Sequence, residues 1–277
     1  MTPVALASSM MIASGMIHAV VNAIIKGGRD KMAGRAATDG TAALVMVPAV
    51  LLVPLPNGAW LWLAGSAIVH LVYLIALVRS YQLADLSSVY PVLRGTAPLV
   101  TAVITLGLLG EPASAHQIGG IVVLGFGMFV LAVGRHLTRV AFGWAFLTGL
   151  CIAAYTVIDA RGVRASPSVA GYIAWDFLIM GVMIVTYFAI RTRGTVFAAM
   201  RDQWRPCAAA GVMSICTYGL ALVALSLGPT AQLAALRETG MITAVIISVV
   251  FLKERVTAAR LAGVAFILGG AVLILVR

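Results

Sequence analysis

Leu93-Arg94-Gly95-Thr96 and Leu236-Arg237-Glu238-Thr239 stand 143 residues apart, each inside a long apolar run. The same shift carries Ile104 onto Ile247, Glu111 onto Glu254, Ala115 onto Ala258, Gly120 onto Gly263 and Gly127 onto Gly270. Shared hydropathy alone does not produce matched Arg, Thr, Glu and Gly at one spacing, so the chain repeats itself. A guanidinium in a bilayer is expensive (about 2.5–3.5 kcal/mol at a helix centre on insertion scales) and is expected to face a bundle interior or a wet cavity. Two of them in corresponding places of a repeat suggest a pathway built by duplication.

Working outward, 62% of the 277 residues are hydrophobic, only 10% are charged, and the mean hydropathy is +1.06. A soluble domain carries about 25% charged residues, so the solvent for most of this surface is a lipid bilayer. A spanning helix needs about 20 mostly apolar residues. Ten segments qualify: roughly 3–25, 40–56, 59–79, 86–109, 116–134, 141–160, 168–190, 206–226, 230–252 and 257–276. Strands are excluded by the length of the runs, their Leu and Ala content and the lack of period-two alternation. The first segment reads as a spanning helix, since no Lys or Arg precedes Lys26 and its length exceeds a signal peptide's apolar region. Only 26–39 and 191–205 leave room for sizeable loops.

The net charge of +10 does not indicate nucleic acid, because the basic residues fall in short clusters between apolar runs. Connections after the first, third, fifth, seventh and ninth segments hold Lys26, Arg29, Lys31, Arg35, Arg79, Arg135, Arg139, Arg191, Arg193, Arg201, Arg205, Lys253, Arg255 and Arg260. The opposite side holds Arg161, Arg164 and Arg277. By the positive-inside rule both termini lie outside the cytoplasm, in a cytoplasmic (inner) membrane. The repeat also relates Tyr73-Leu74-Ile75-Ala76-Leu77-Val78 to Tyr218-Gly219-Leu220-Ala221-Leu222-Val223, at a shift of 145. Each half, 1–139 and 140–277, then holds five helices, an odd number, so the second copy enters the membrane in the opposite sense.

Two motifs close the halves: Leu109-Gly110-Glu111-Pro112 followed by Gly119 and Gly120, and Leu252-Lys253-Glu254-Arg255 followed by Gly263. Together with Ala154-Tyr155-Thr156-Val157 on the sixth segment, their order resembles the ten-helix drug/metabolite transporter superfamily, the EamA-type group, over essentially the whole chain. In that family an aromatic often precedes a Lys by eight residues on the first helix; here His18 and Lys26 hold that spacing. The resemblance implies an all-α membrane protein, ten helices in two inverted five-helix halves around a central cavity. It further implies alternating access, with the first, third and fourth helices of each half lining the path. Amino acids, nucleotide sugars and organic phosphates are among the family's substrates, so membership does not select one. Many bacterial members look to have cytoplasmic termini, the reverse of the charge reading here.

On the fourth segment Ser87, Arg94 and Thr101 recur every seven residues with Pro91 and Pro98 between them, one polar stripe on a helix. Arg94 and Arg237 are candidate anion anchors; pairing with a carboxylate to lock the bundle is the structural alternative. Glu238 replaces Gly95 of the first half. Burial favours its neutral acid and a nearby arginine its carboxylate, so it is the candidate for proton coupling or for an amine, with a structural Glu238–Arg94 ion pair as the alternative. Adjacent on one helix, Arg237 and Glu238 should point about 100° apart. His18 and Asn22, one turn apart, could face the cavity, and the repeat-related Tyr73 and Tyr218 could bracket a substrate. Asp159 and Arg161 read as solvated charges at a helix end, Asp176 as structurally paired, and His70 as a packing residue. The glycines of the fifth and tenth segments permit close packing, to which the resemblance adds homodimer contacts.

These readings converge on a secondary transporter of a small polar metabolite, an amino-acid-like zwitterion or an organic anion, with the bilayer as its other partner. A carrier for lipid-linked or amphipathic anions is the alternative. An intramembrane enzyme would need converging nucleophile, base or metal ligands, which the sequence lacks. Cys151, Cys207 and Cys216 have no metal-ligand spacing, and no nucleotide-binding motif occurs, so no cofactor is implied and a gradient or exchange must supply the energy. A C-terminal reporter active only in the cytoplasm is expected to stay dark on the full-length protein; a bright reporter reverses the orientation.

Overall fold

A computed structural model describes residues 2–27, 30–84, 86–131, 137–250 and 257–276, without the side chains of residues 26, 27, 31, 86, 87 and 248. Arg29, Arg135, Lys253, Glu254, Arg255 and Arg277, used in the charge count or the repeat, and the Ser87 side chain lie outside the described residues. Every regular element within them is helical. These are α1 (Pro3–Gly27), α2 (Lys31–Leu52), α3 (Trp60–Leu83), α4 (Leu86–Ala102), α5 (Ala115–Val130), α6 (Arg139–Ala165) and α7 (Val169–Arg191). Then come the short α8 (Val196–Asp202), α9 (Trp204–Leu227), α10 (Thr230–Arg237), α11 (Gly240–Val250) and α12 (Ala258–Leu275). Eight are long and apolar enough to cross a membrane: α1, α2, α3, α4 with its extension, α6, α7, α9 and α12.

Three differences from the hydropathy reading have local causes. α2 starts at Lys31, nine residues before the expected 40. Asp30 caps it by accepting from the Met32 and Ala33 N–H groups, and Arg35 pairs with Asp39 at 2.6 Å, so charges that suggested a loop are neutralised within the helix. α4 is continued by π-helical turns over Val103–Leu108, with the Leu109 N–H reaching back five residues to the Ile104 carbonyl. The ninth segment is two helices rather than one. Around Glu238 the backbone tightens to three-residue hydrogen bonds, Glu238 N–H to Ala235 and Thr239 N–H to Leu236.

The most extensive packing joins α5 to α12, α3 to α6, α1 to α9 and α2 to α7, with α4 on α6 and α1 on α10 and α11. Glycines set the closest approaches. A Cβ on Gly120 would lie 2.7 Å from the Gly270 carbonyl oxygen, one on Gly270 2.6 Å from that of Gly120, and one on Gly127 2.9 Å from that of Gly263. Gly15 backs onto the Arg237 carbonyl and Gly240 onto Gly15, which seats α1 against the break between α10 and α11. Ser14 Oγ donates to the Thr217 carbonyl at 2.7 Å, and Thr217 returns a bond to Ser14, so α1 and α9 are also clasped by hydroxyls.

The connections segregate to two ends. At one, Gln203 Nε2 donates to the Asp30 carbonyl at 2.6 Å, joining the turn before α2 to that before α9. At the other, the Arg164 guanidinium donates to the carbonyls of Leu225 at 2.9 Å and Gly228 at 2.6 Å, to Thr230 Oγ1 at 3.2 Å and to Glu111 Oε1 at 3.3 Å. Glu111 in turn accepts from the Thr230 N–H and hydroxyl, both at 2.7 Å. A carboxylate at the start of α10 meets the positive end of that helix. Gly120→Ala is expected to destabilise the protein by about 1–3 kcal/mol through overpacking. Gly119→Ala, whose Cβ meets nothing within 4 Å, leaves the unfolding temperature in detergent unchanged.

Candidate substrate-binding site

A cavity of about 400 Å³, its mouth included, opens between α1, α4, α6, α9 and α10. Its polar lining is Arg94, Thr101, Thr156, Tyr218, Arg237 and Glu238; Met11, Pro98 and Leu225 are among its apolar walls.

Arg94 is 5% exposed and Glu238 3%, and Arg94 Nε lies 2.7 Å from Glu238 Oε2. The contact is an ion pair by distance, but the N–H is not aligned along it as a hydrogen bond. Arg94 sits between two prolines for a reason: Pro98 has no N–H to offer the carbonyl four residues back, which is that of Arg94 itself. Its guanidinium carbon lies 5.8 Å from the Tyr90 ring centre. Arg237, the last residue of α10, is 8% exposed, and its Nε has no hydrogen-bond partner among the described residues. It faces the Tyr218 ring at 5.3 Å, a cation–π contact. Tyr218 donates its hydroxyl to Asp159 Oδ2, and Tyr172 donates to Oδ1 at 2.8 Å.

Of the expected residues, Arg94, Thr101, Tyr218, Arg237 and Glu238 therefore share one cavity. Tyr73 does not line it: it packs on Tyr155 at 5.8 Å, and Tyr155 in turn lies 6.4 Å from Tyr218. Asn22 is held by the Tyr90 hydroxyl at 3.2 Å, and His18 is half-buried on α1. His70 stacks on Tyr155 at 3.9 Å, its Nδ1 3.0 Å from the Ser66 carbonyl.

Two expectations are corrected. Asp159 is not a solvated end charge: α6 runs six residues beyond it, and it is 0% exposed. Asp176, expected in a structural pair, is 3% exposed and makes no hydrogen bond or ion pair among the described residues. The sequence carried a signal for Asp159 that went unused, since it lies one turn after Tyr155-Thr156 on the same helical face. The asymmetry between Gly95 and Glu238 also has a cause. A Cβ at Gly95 would come 2.9 Å from that of Met128, so only glycine fits against α5, whereas the break after α10 turns position 238 into the cavity.

The sequence model of the EamA-like transporter family matches residues 139–276. No curated protein matches the chain in sequence. A solved crystal structure shares the fold with a TM-score of 0.77 at 19% identity, over 98% of this chain and 96% of that one. The chain belongs to the EamA-like transporter family of the drug/metabolite transporter superfamily. It is a multi-pass membrane protein, a transporter of small molecules and not an enzyme.

Removing one partner of a buried ion pair strands the other charge, at about 3–5 kcal/mol, whereas removing both costs far less. Glu238→Gln should therefore destabilise the folded protein strongly, and Arg94→Gln with Glu238→Gln should recover most of the loss in unfolding measurements.

Proposed function

We propose that this protein is a secondary transporter of a small zwitterionic or anionic metabolite, in which Arg237 takes the substrate's anionic group. The observation that carries this reading is the contrast between two buried arginines in one cavity. Arg94 has a carboxylate at 2.7 Å, while Arg237, among the described residues, makes no ion pair, faces the Tyr218 ring and has an Nε without a hydrogen-bond partner. A carboxylate or phosphate entering the cavity would give Arg237 the charged partner it lacks. A substrate amine would compete with Arg94 for Glu238, releasing the Arg94 guanidinium as a second anion contact. Thr101 also lines the cavity, as does Thr156, whose hydroxyl donates to the Ile152 carbonyl at 2.7 Å.

Ten membrane crossings in two inverted five-helix halves are part of this reading. The helix pairs support it, because exchanging the halves turns α1 on α9 into α6 on α3, and α4 on α6 into the α10–α11 segment on α1. The same exchange maps α2 on α7 and α5 on α12 onto themselves. Alternating access then follows as a rocking of one set against the other around the cavity. The inner membrane, termini outside the cytoplasm and a homodimer through the glycines of the fifth and tenth segments complete the proposal.

Thermal stabilisation by matched anionic, zwitterionic, cationic and neutral metabolites tests it, since a ligand of the folded state raises apparent stability with occupancy. Anionic or zwitterionic compounds should stabilise the wild type by several degrees and leave Arg237→Gln unmoved. Stabilisation by cations or neutral amphiphiles alone, equal in both proteins, overturns the assignment.

A further inference from the structure

Two buried carboxylates, Asp159 and Asp176, lie within electrostatic reach of each other, and among the described residues neither has a cation in ion-pair contact. Asp159 on α6 receives the Tyr172 and Tyr218 hydroxyls, one on each oxygen. Asp176 stands one turn after Tyr172 on α7, within electrostatic reach of Asp159, Tyr172 and Tyr218. It is nine-tenths buried and has no partner among the described residues. The groups about the pair are Ser66 from α3, Tyr155 on α6 itself, Tyr172 from α7 and Tyr218 from α9. Arg237 on α10 is the nearby cation, and the Tyr218 ring intervenes between it and Asp159. Arg94 on α4 is committed to Glu238.

Two adjacent anions buried without a counter-charge repel strongly, and the usual resolution is that the pair takes up one positive charge. We infer that Asp159 and Asp176 together form the transporter's coupling-cation site, and that the cation is a proton shared by the pair. A metal ion is disfavoured because, among the described residues, no group of three or more His, Cys, Asp or Glu side chains converges to hold one. This site lies outside the cavity lining and does not use Glu238, whose carboxylate Arg94 holds. Tyr218 links it to substrate, since its ring covers Arg237 and its hydroxyl binds Asp159. An anion that draws Arg237 off that ring perturbs the same phenol that supports the acid pair. The anion reading supplies the word coupling; the proton site stands on the carboxylates alone.

Infrared difference spectroscopy of the purified protein in deuterated buffer tests this without any substrate. At neutral pD a carbonyl stretch of a protonated, buried carboxylic acid is expected in the wild type and in the Arg94→Gln, Glu238→Gln double variant. It should vanish in Asp176→Asn and in Asp159→Asn, and move to higher wavenumber in Tyr218→Phe, which removes a hydrogen bond from the pair. Asp176→Asn breaks no hydrogen bond, so it carries the test if Asp159→Asn fails to fold. A wild type without the band, or a band that survives both Asp substitutions, overturns the proton site. Loss of the band when sodium chloride replaces potassium chloride reassigns it to sodium. A band unmoved in Tyr218→Phe refutes the link to Arg237.

Discussion

The contact between Arg94 and Glu238 is the interaction on which the centre of the molecule depends. It joins α4 to the break between α10 and α11, where both side chains are buried and water does little to relieve a lone charge. A guanidinium there must have a carboxylate, a carbonyl or an aromatic face within reach. Each nearby feature serves that need: the proline that frees a carbonyl beside Arg94, Tyr90 next to it, and the helix break that turns Glu238 inward. Arg237 meets the same demand less completely, through Tyr218. Unequal satisfaction of two related charges is what distinguishes a site from a scaffold.

The second organising constraint is backbone proximity. Lipid provides no hydrophobic drive between helices, so contact depends on how closely their surfaces fit. The glycines of α5 and α12 let backbone oppose backbone, and Gly15 and Gly240 do the same for α1 and the helix break. The tightest place in the central bundle thus sits directly behind Arg237 and Glu238.

Much of this was legible in the sequence because the signals were periodic. Apolar runs located the long helices, and the repeat picked out Arg94 and Arg237, including the alternative that Glu238 and Arg94 pair. What escaped the sequence was local or tertiary. Asp30, Arg35 and Asp39 look like a polar loop until the cap and the i,i+4 pair are seen to satisfy them within a helix. The break at Glu238 has no proline to announce it; it comes from packing of Gly15 against Gly240. Asp159 looked solvated because it precedes Arg161 and Arg164 near an expected helix end, yet the two tyrosines that bury it come from α7 and α9, 13 and 59 residues along the chain.

Arg164 gives the two ends of the bundle different mechanical characters. At its end a single guanidinium fastens three connections, with Glu111 and Thr230 completing the knot, whereas the Gln203 contact at the other end is one neutral hydrogen bond. Charged fastenings weaken in salt and neutral ones hardly respond. Raising the ionic strength therefore loosens the contacts between connections at the Arg164 end more than the Gln203 hydrogen bond at the other.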